Sequence, residues 1–492
     1  MNSVVRQDEI NNKSVPAHPS SGSDKKTLSG NLGTLDIVFT VLAYNAPLTV
    51  VTGFIPLIVS LGNGAGVPVT FLLAGALMLL FSVGFTTMAR HVPNAGAFYA
   101  YISAGLGRPA GLGSAFMALL AYFFMLLGIT LYAGVVFVSL TKQFFGSSLL
   151  QWWQWSFLLA AVVAALGYLR ITFSARILML ALVGEIILVA AWELSVGSSQ
   201  SGAHLRTSWL TPSAITSGSI GLAILFGMSS FAGFEATAIF REECKDPDKS
   251  VPRATYLAVV IMTLTFSSAA YFFITSYGVD AALAKATADP SNATLDSIGQ
   301  YLGTIGLDAV NLLLGSSVFA CMLALHNILS RYLYCLSVDG TLPRVFGSVH
   351  PRHGSPHKAS LMVTFIAATA LALLAYEGVE PYSGYGALVG VGGYALMILQ
   401  ILTSLAVIVF FQRKKLQVSR LKSFVAPLVS FVALMITACL ASVNLDLLTG
   451  NATVAMILLA VIFGSLLLGI LYALYLKKSK GRVYQSIGRQ QV

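Results

Sequence analysis

The 492 residues are 56% hydrophobic and only 10% charged, which excludes an ordinary soluble globular domain, where charged residues approach a quarter of the total. The formal charge of +10 does not point to a nucleic-acid partner, because its distribution along the chain is that of a protein embedded in lipid.

Residues 1–30 are rich in Ser, Asn and Lys and lack the apolar core of a signal peptide, so they read as a disordered cytoplasmic tail. About 20 apolar residues span a bilayer. Twelve such runs follow, near 36–61, 67–89, 112–140, 153–169, 177–196, 218–240, 254–278, 307–336, 359–376, 384–411, 424–443 and 453–476. With these crossings, all 29 Lys and Arg except Lys142, Arg206 and Lys285 fall in the tails or in the loops of one side. The positive-inside rule makes that side cytoplasmic, with both termini there, and predicts a multi-pass protein of the cytoplasmic (plasma) membrane.

Segment 1, DIVFTVLAYNAPLTVVTGFIPLIVSLG, is punctuated at its centre by Asn45, Pro47, Thr49, Thr52, Gly53 and Pro56. Proline removes a backbone donor and clashes with the preceding turn, so unwound backbone is expected there. Between segments 2 and 3, RHVPNAGAFYAYISAGLGRPAGLG is too polar to cross again. It predicts a short interfacial helix with Phe98, Tyr99 and Tyr101 at the headgroup boundary.

Segment 6 carries the second interruption. Its apolar run is broken by Gly227, Ser229, Ser230 and Gly233, with Glu235 just beyond and REECKDPDK after it. Irregular backbone at membrane depth persists only where protein buries it or a wet cavity lines it. Broken segments at positions 1 and 6 are an odd number of helices apart, the arithmetic of two inverted repeats, segments 1–5 and 6–10, as in secondary transporters.

Segment 8 runs into a basic loop suited to an anionic leaflet, in which His350, His353 and His357 are expected as solvated residues rather than metal ligands. The glycines of segment 10, Gly384, Gly386, Gly390, Gly392 and Gly393, predict close helix packing. Asn292 and Asn451 head N-x-T sequons in predicted external loops. The four cysteines show neither a disulfide framework nor metal spacing.

Three ionisable side chains lie well inside predicted spans, Glu185, Glu235 and His326, and charge at that depth is by default functional. Each is a proton-coupling candidate: a carboxylate in low dielectric can hold and release a proton, and histidine titrates near neutrality. The two breaks offer what an amphoteric small molecule requires, half-helix N-termini for a carboxylate and carbonyls and hydroxyls for an ammonium. Candidate substrate-binding residues are Asn45, Ala46, Thr49, Thr52 and Gly53 in segment 1, and Phe226, Ser229, Ser230, Phe231, Gly233 and Glu235 in segment 6, with Phe234 as a further apolar wall.

GFEATAIFREECKDPDKSVPRA resembles the sixth-helix signature of the amino acid/polyamine/organocation superfamily. NAGAFYAY at 94–101 is similar to its segment after helix 2, and SRYLYCLSVDGTLPRVFGSVHP to its helix 8 end and following loop. The resemblance covers about 30 to 475 and implies a LeuT-like fold, transport of amino acids or polyamines, and a site between helices 1, 3, 6, 8 and 10. Two departures stand out. APLTVVTG occupies the place of the family's Gly-Ser-Gly-Ile type motif, and Glu185 stands where many relatives carry a lysine nine residues after Ser-Ala-Arg, here Ser174 to Arg176.

The expectation is therefore an all-α membrane protein of twelve helices: a cytoplasmic tail over 1–30, a ten-helix inverted-repeat core over 31–415, helices 11 and 12 over 416–478, and a tail over 479–492. Its function is read as a permease for an amino acid, working by alternating access and driven by protons, with polyamine transport or exchange as alternatives. No cofactor is expected beyond a proton gradient, with sodium left open. The partners expected are the small-molecule substrate and membrane lipid, and the sequence leaves the oligomeric state open. A channel would show a filter sequence and an enzyme a nucleophile, metal set or phosphate loop; neither pattern is present.

Overall fold

Backbone amides in hydrocarbon find partners only within their own segment or a closed barrel, so long apolar runs fold as helices. A computed structural model describes residues 33–92, 97–169, 175–199, 208–235, 237, 244 and 246–488. The predicted N-terminal tail and residues 241–243 and 245 of REECKDPDK lie outside the described residues. Among those described, the regular elements are helices, and eleven are long and apolar enough to cross a membrane.

Those eleven fall on eleven of the twelve apolar runs. The first comprises α1 (Thr34–Asn45) and α2 (residues 47–61), the second α3 (Val67–His91). A short α4 (Ala97–Leu106) leads into α5 (Arg108–Phe145), α6 (Trp152–Leu169) and α7 (Ala175–Ser199). In the sixth run the helix α8 (Ile220–Ser229) is only ten residues long and ends in turns. Then come α9 (Pro247–Tyr277), α10 (Ala293–Val338), α11 (His357–Tyr376), α12 (Pro381–Lys414), α13 (Ala426–Val443), α14 (Ala452–Ser479) and a terminal α15 (Gly481–Ser486).

Local chemistry sets several of the ends. Ser219 caps α8 by accepting from Leu222 N, Glu380 caps α12 by accepting from Tyr382 N and Ser383 N, and Asn451 caps α14 through Thr453 N and Val454 N. That cap uses the Oδ1 of the second sequon asparagine. The first, Asn292, donates to Asp289.

The long α5 forms the centre, packed on α4, α6, α10, α12 and α14. Glycines of α12 let it approach: a Cβ at Gly392 would lie 2.7 Å from Cγ of Met125 and 2.8 Å from the Ala121 carbonyl oxygen. The packing role expected of that run is what its neighbours display. Large apolar side chains on the outer faces of α7 and α14, such as Leu180, Leu194 and Leu468, stay exposed, as a multi-pass membrane protein presents them to hydrocarbon.

The segment after α3 is a helix, as expected, but its aromatics are not interfacial. Phe98, Tyr99 and Tyr101 are buried, with Phe98 and Tyr101 packed against Phe85. Hydropathy alone cannot separate an aromatic facing headgroups from one facing protein. Tyr99 also anchors the C-terminal end: its hydroxyl donates to Asp339 Oδ2 at 2.8 Å and accepts from Gly488 N at 2.7 Å. Burial, then the Asp339 carboxylate, push the Tyr99 phenol well above its ordinary range, so it stays a donor. Residues 481–488, expected simply as tail, are thus docked on α4 and the end of α10.

Candidate functional site

The first span breaks at a single residue. Ala46 adopts the left-handed conformation, φ 52° and ψ 72°, which costs a residue with a Cβ about 1–2 kcal/mol. Pro47 then starts α2, where its fixed φ suits a first helical turn and its missing N–H is no loss. The next amide, Leu48 N, donates to Glu185 Oε2 at 2.9 Å. A carboxylate from α7 thereby sits on the exposed N-terminus of α2, where the helix dipole favours negative charge by about 1–2 kcal/mol in buried geometry. No basic side chain among the described residues reaches Glu185; the Arg176 side chain lies outside them.

The second break begins where α8 ends. Phe231 N bonds Met228 O, Ala232 N bonds Ser229 O and Phe234 N bonds Phe231 O, a chain of tight turns instead of helix. Gly233, at φ 100°, holds a conformation that only glycine adopts readily. The Asn45 amide joins the two breaks, donating to the Ser230 carbonyl at 2.5 Å and the Ala232 carbonyl at 3.2 Å. Sequence-distant irregular backbones satisfy each other here, the condition for surviving at membrane depth.

Between the breaks lies a cavity of about 40 Å³. Its polar end is Asn45, Thr49, Ser229, Ser230 and Gly233; α5 contributes Tyr122, Met125 and Ile129, and α10 contributes Cys321, Ala324, Leu325 and Ile328. That volume holds about three waters, so a bound amino acid requires the surrounding helices to move apart.

Of the sequence candidates, Asn45, Thr49, Ser229, Ser230 and Gly233 meet at this cavity. Others do not. Thr52 and Gly53 lie in a π-helical turn, Val50–Phe54, rather than in unwound chain. Thr52 accepts from Tyr132 at 2.9 Å, and the Gly53 carbonyl accepts from Tyr382 at 2.8 Å. Gly227 is still inside α8, against Thr70 and Ala74. The aromatics pack instead of lining: Phe226 on Phe54, Phe231 on Phe266, and Phe234 on Phe81 and Phe85. Ala46 shapes the break without joining the lining.

Glu235 stands behind the cavity wall. Its Oε2 accepts from Gly233 N at 3.0 Å, and its Oε1 accepts from the hydroxyl of Tyr122, which does line the cavity. His326 does not line the cavity; its Nε2 is 3.1 Å from Thr364 Oγ1, between α10 and α11. The tyrosine on α5 and the α10 wall were missed, because an aromatic or aliphatic residue in an apolar run carries no mark of which face it occupies. Ser317, whose Oγ is 3.2 Å from Thr49 Oγ1, was likewise one hydroxyl among many. His350 and His353 of the loop and His357 at the start of α11 cluster at ring separations of 4.6 Å and 5.2 Å around His350, but among the described residues they form no metal-binding group.

A helical membrane protein with a cavity at paired helix breaks points to the class of transporters. The comparisons agree: the family model for amino acid permeases matches residues 36–485. The chain is 26% identical to the low-affinity putrescine importer PlaP of Escherichia coli (strain K12) over 70% of its length and 75% of that protein. It is 25% identical to the branched-chain amino acid permease BcaP of Bacillus subtilis (strain 168) over 82% and 85%. Against the aromatic amino acid transport protein AroP of Escherichia coli O157:H7 it is 25% identical over 76% and 81%. The chain belongs to the amino acid permease family, within the amino acid/polyamine/organocation superfamily, and is a membrane permease rather than an enzyme.

Proposed function

We propose that the protein is a secondary active transporter that carries an amino acid or organic amine across the plasma membrane by alternating access, driven by protons. The observation that carries this reading is the cavity enclosed by two helix breaks and bridged by Asn45. A site built at breaks can change shape by pivoting half-helices, whereas continuous helices resist it. The breaks fall in the first and sixth apolar runs, which supports a LeuT-like arrangement of inverted repeats over 31–415, followed by two helices over 416–478. The charge bias supports cytoplasmic termini. That relatives bear names for putrescine, branched-chain and aromatic amino acid transport supports a small zwitterionic or cationic cargo.

Coupling is assigned to Glu185, because it bonds the first amide after the helix 1 break, so that a change in its charge alters the tie between α7 and α2. Purified protein in proteoliposomes, given an inward proton gradient, is expected to accumulate labelled amino acid or amine above equilibrium, and a protonophore should abolish the accumulation. Accumulation that needs sodium and ignores the proton gradient would replace this coupling. Failure to move any amino acid or amine would remove the permease reading for this site.

A further inference from the structure

The lining of the cavity discriminates among the cargoes that the family carries, and this deepening rests on that cavity being the transport site. Among the described residues, no charged side chain lines it. The carboxylate closest to hand in the second break, Glu235, already accepts from Gly233 N and from Tyr122. Glu185 is engaged by Leu48 N and does not line the cavity.

The hydroxyls at the polar end are taken up locally. Ser229 donates to the Leu225 carbonyl, Ser230 to the Phe226 carbonyl and Thr49 to Ser317. Asn45 differs. Both its donor bonds go to the carbonyls of the second break, while its Oδ1 is buried with no hydrogen-bond partner among the described residues. A buried amide oxygen without a donor is costly to leave so, and here it belongs to a residue that lines the cavity and is only 7% exposed. Among the described residues it is the one buried side-chain acceptor of the lining left without a donor.

Apart from Tyr122, whose hydroxyl is turned to Glu235, the α5 and α10 lining is apolar: Met125 and Ile129 on α5, with Cys321, Ala324, Leu325 and Ile328 on α10. Met125 is unbranched and deformable, and Ala324 is small, so this wall can yield to an aliphatic or aromatic group. It offers a second cation neither a counter-charge nor a carbonyl.

We propose that the site takes an α-amino acid with a neutral apolar side chain, its ammonium received by Asn45 Oδ1 and its side chain laid against the α5 and α10 wall, and that it rejects diamines and cationic amino acids. The wild-type, full-length protein in proteoliposomes tests this by parallel uptake of labelled leucine, phenylalanine, lysine and putrescine. Leucine or phenylalanine should exceed lysine and putrescine by roughly 100-fold, the ratio that the insertion cost of one charge implies. Unlabelled 4-methylpentanoate, which lacks the ammonium, should fail to compete with leucine. Competition equal to that of leucine would overturn the role of Asn45.

Putrescine or lysine moving as well as leucine would overturn the inference and leave the permease reading intact. Transport of none of the four would likewise overturn the inference, whereas the permease reading falls only if no amino acid or amine moves. Ala324→Asp, which places a carboxylate in the apolar wall, should shift the preference toward lysine and putrescine by at least about tenfold, a conservative share of one charge interaction. An unchanged ratio in folded, monodisperse Ala324→Asp protein would show that the side chain does not meet this wall, and would also overturn the inference.

Discussion

At the scale of single residues, the molecule turns on two carboxylates with different neighbours. Glu235 is held by a backbone N–H two residues before it and by the Tyr122 hydroxyl, so it stabilises the turn in which it sits. Glu185 reaches across from another helix to an amide freed by the left-handed Ala46. Removing the charge of Glu185 should therefore act on movement more than on folding. Glu185→Gln keeps the size and an acceptor oxygen but cannot titrate. Proton-driven accumulation is expected to fall, while substrate binding and gradient-independent exchange persist in the same proteoliposomes. Unchanged accumulation in the Gln variant across external pH of about 5 to 8, the range in which buried carboxylates titrate, would end the coupling assignment.

At the scale of elements, the breaks are local conformations that tertiary contacts keep in place. Ala46 pays no side-chain entropy but carries a Cβ in a region that disfavours one. Ala46→Gly should remove that strain and raise stability by up to about 1 kcal/mol, seen as a small upward shift in Tm. Ala46→Val should lower it, since a β-branched side chain at positive φ is a genuine outlier. Equal melting of all three would place the break elsewhere. The second break has its own requirement. Ser229 lies so close to α12 that a Cβ at Gly393 would stand 1.7 Å from its Oγ. The glycine run of α12 and the serines of α8 are thus two sides of one contact.

At the scale of the whole molecule, the charge bias makes a prediction independent of the site. Cysteines introduced at Lys142 and Ser291 should react with an impermeant thiol reagent in intact cells, and one at Lys414 should not. Labelling at Lys414 alone would invert the orientation.

How much of this was legible in the chain depends on range. Composition and the period of apolar runs decided that the protein is helical and spans a membrane, because hydrocarbon leaves a lone apolar segment few other ways to satisfy its amides. Gly, Ser and Pro marked both interrupted runs, since their backbone preferences are local properties. The motif around Glu235 carried the family. What the sequence left open was direction: Thr52 and Phe226 sit in the right runs yet face tyrosines and packing aromatics, and the aromatics of α4 face protein, not headgroups. In a helix buried on most sides, hydropathy no longer separates inner from outer faces. Only the tertiary structure could decide that Asn45 bridges to Ser230, 185 positions away, that Glu185 meets Leu48 N, and that Tyr122 stands between Glu235 and the cavity. Those contacts come from helices packed side by side, and the partner of a buried polar group is set by which neighbour lies within about 3 Å.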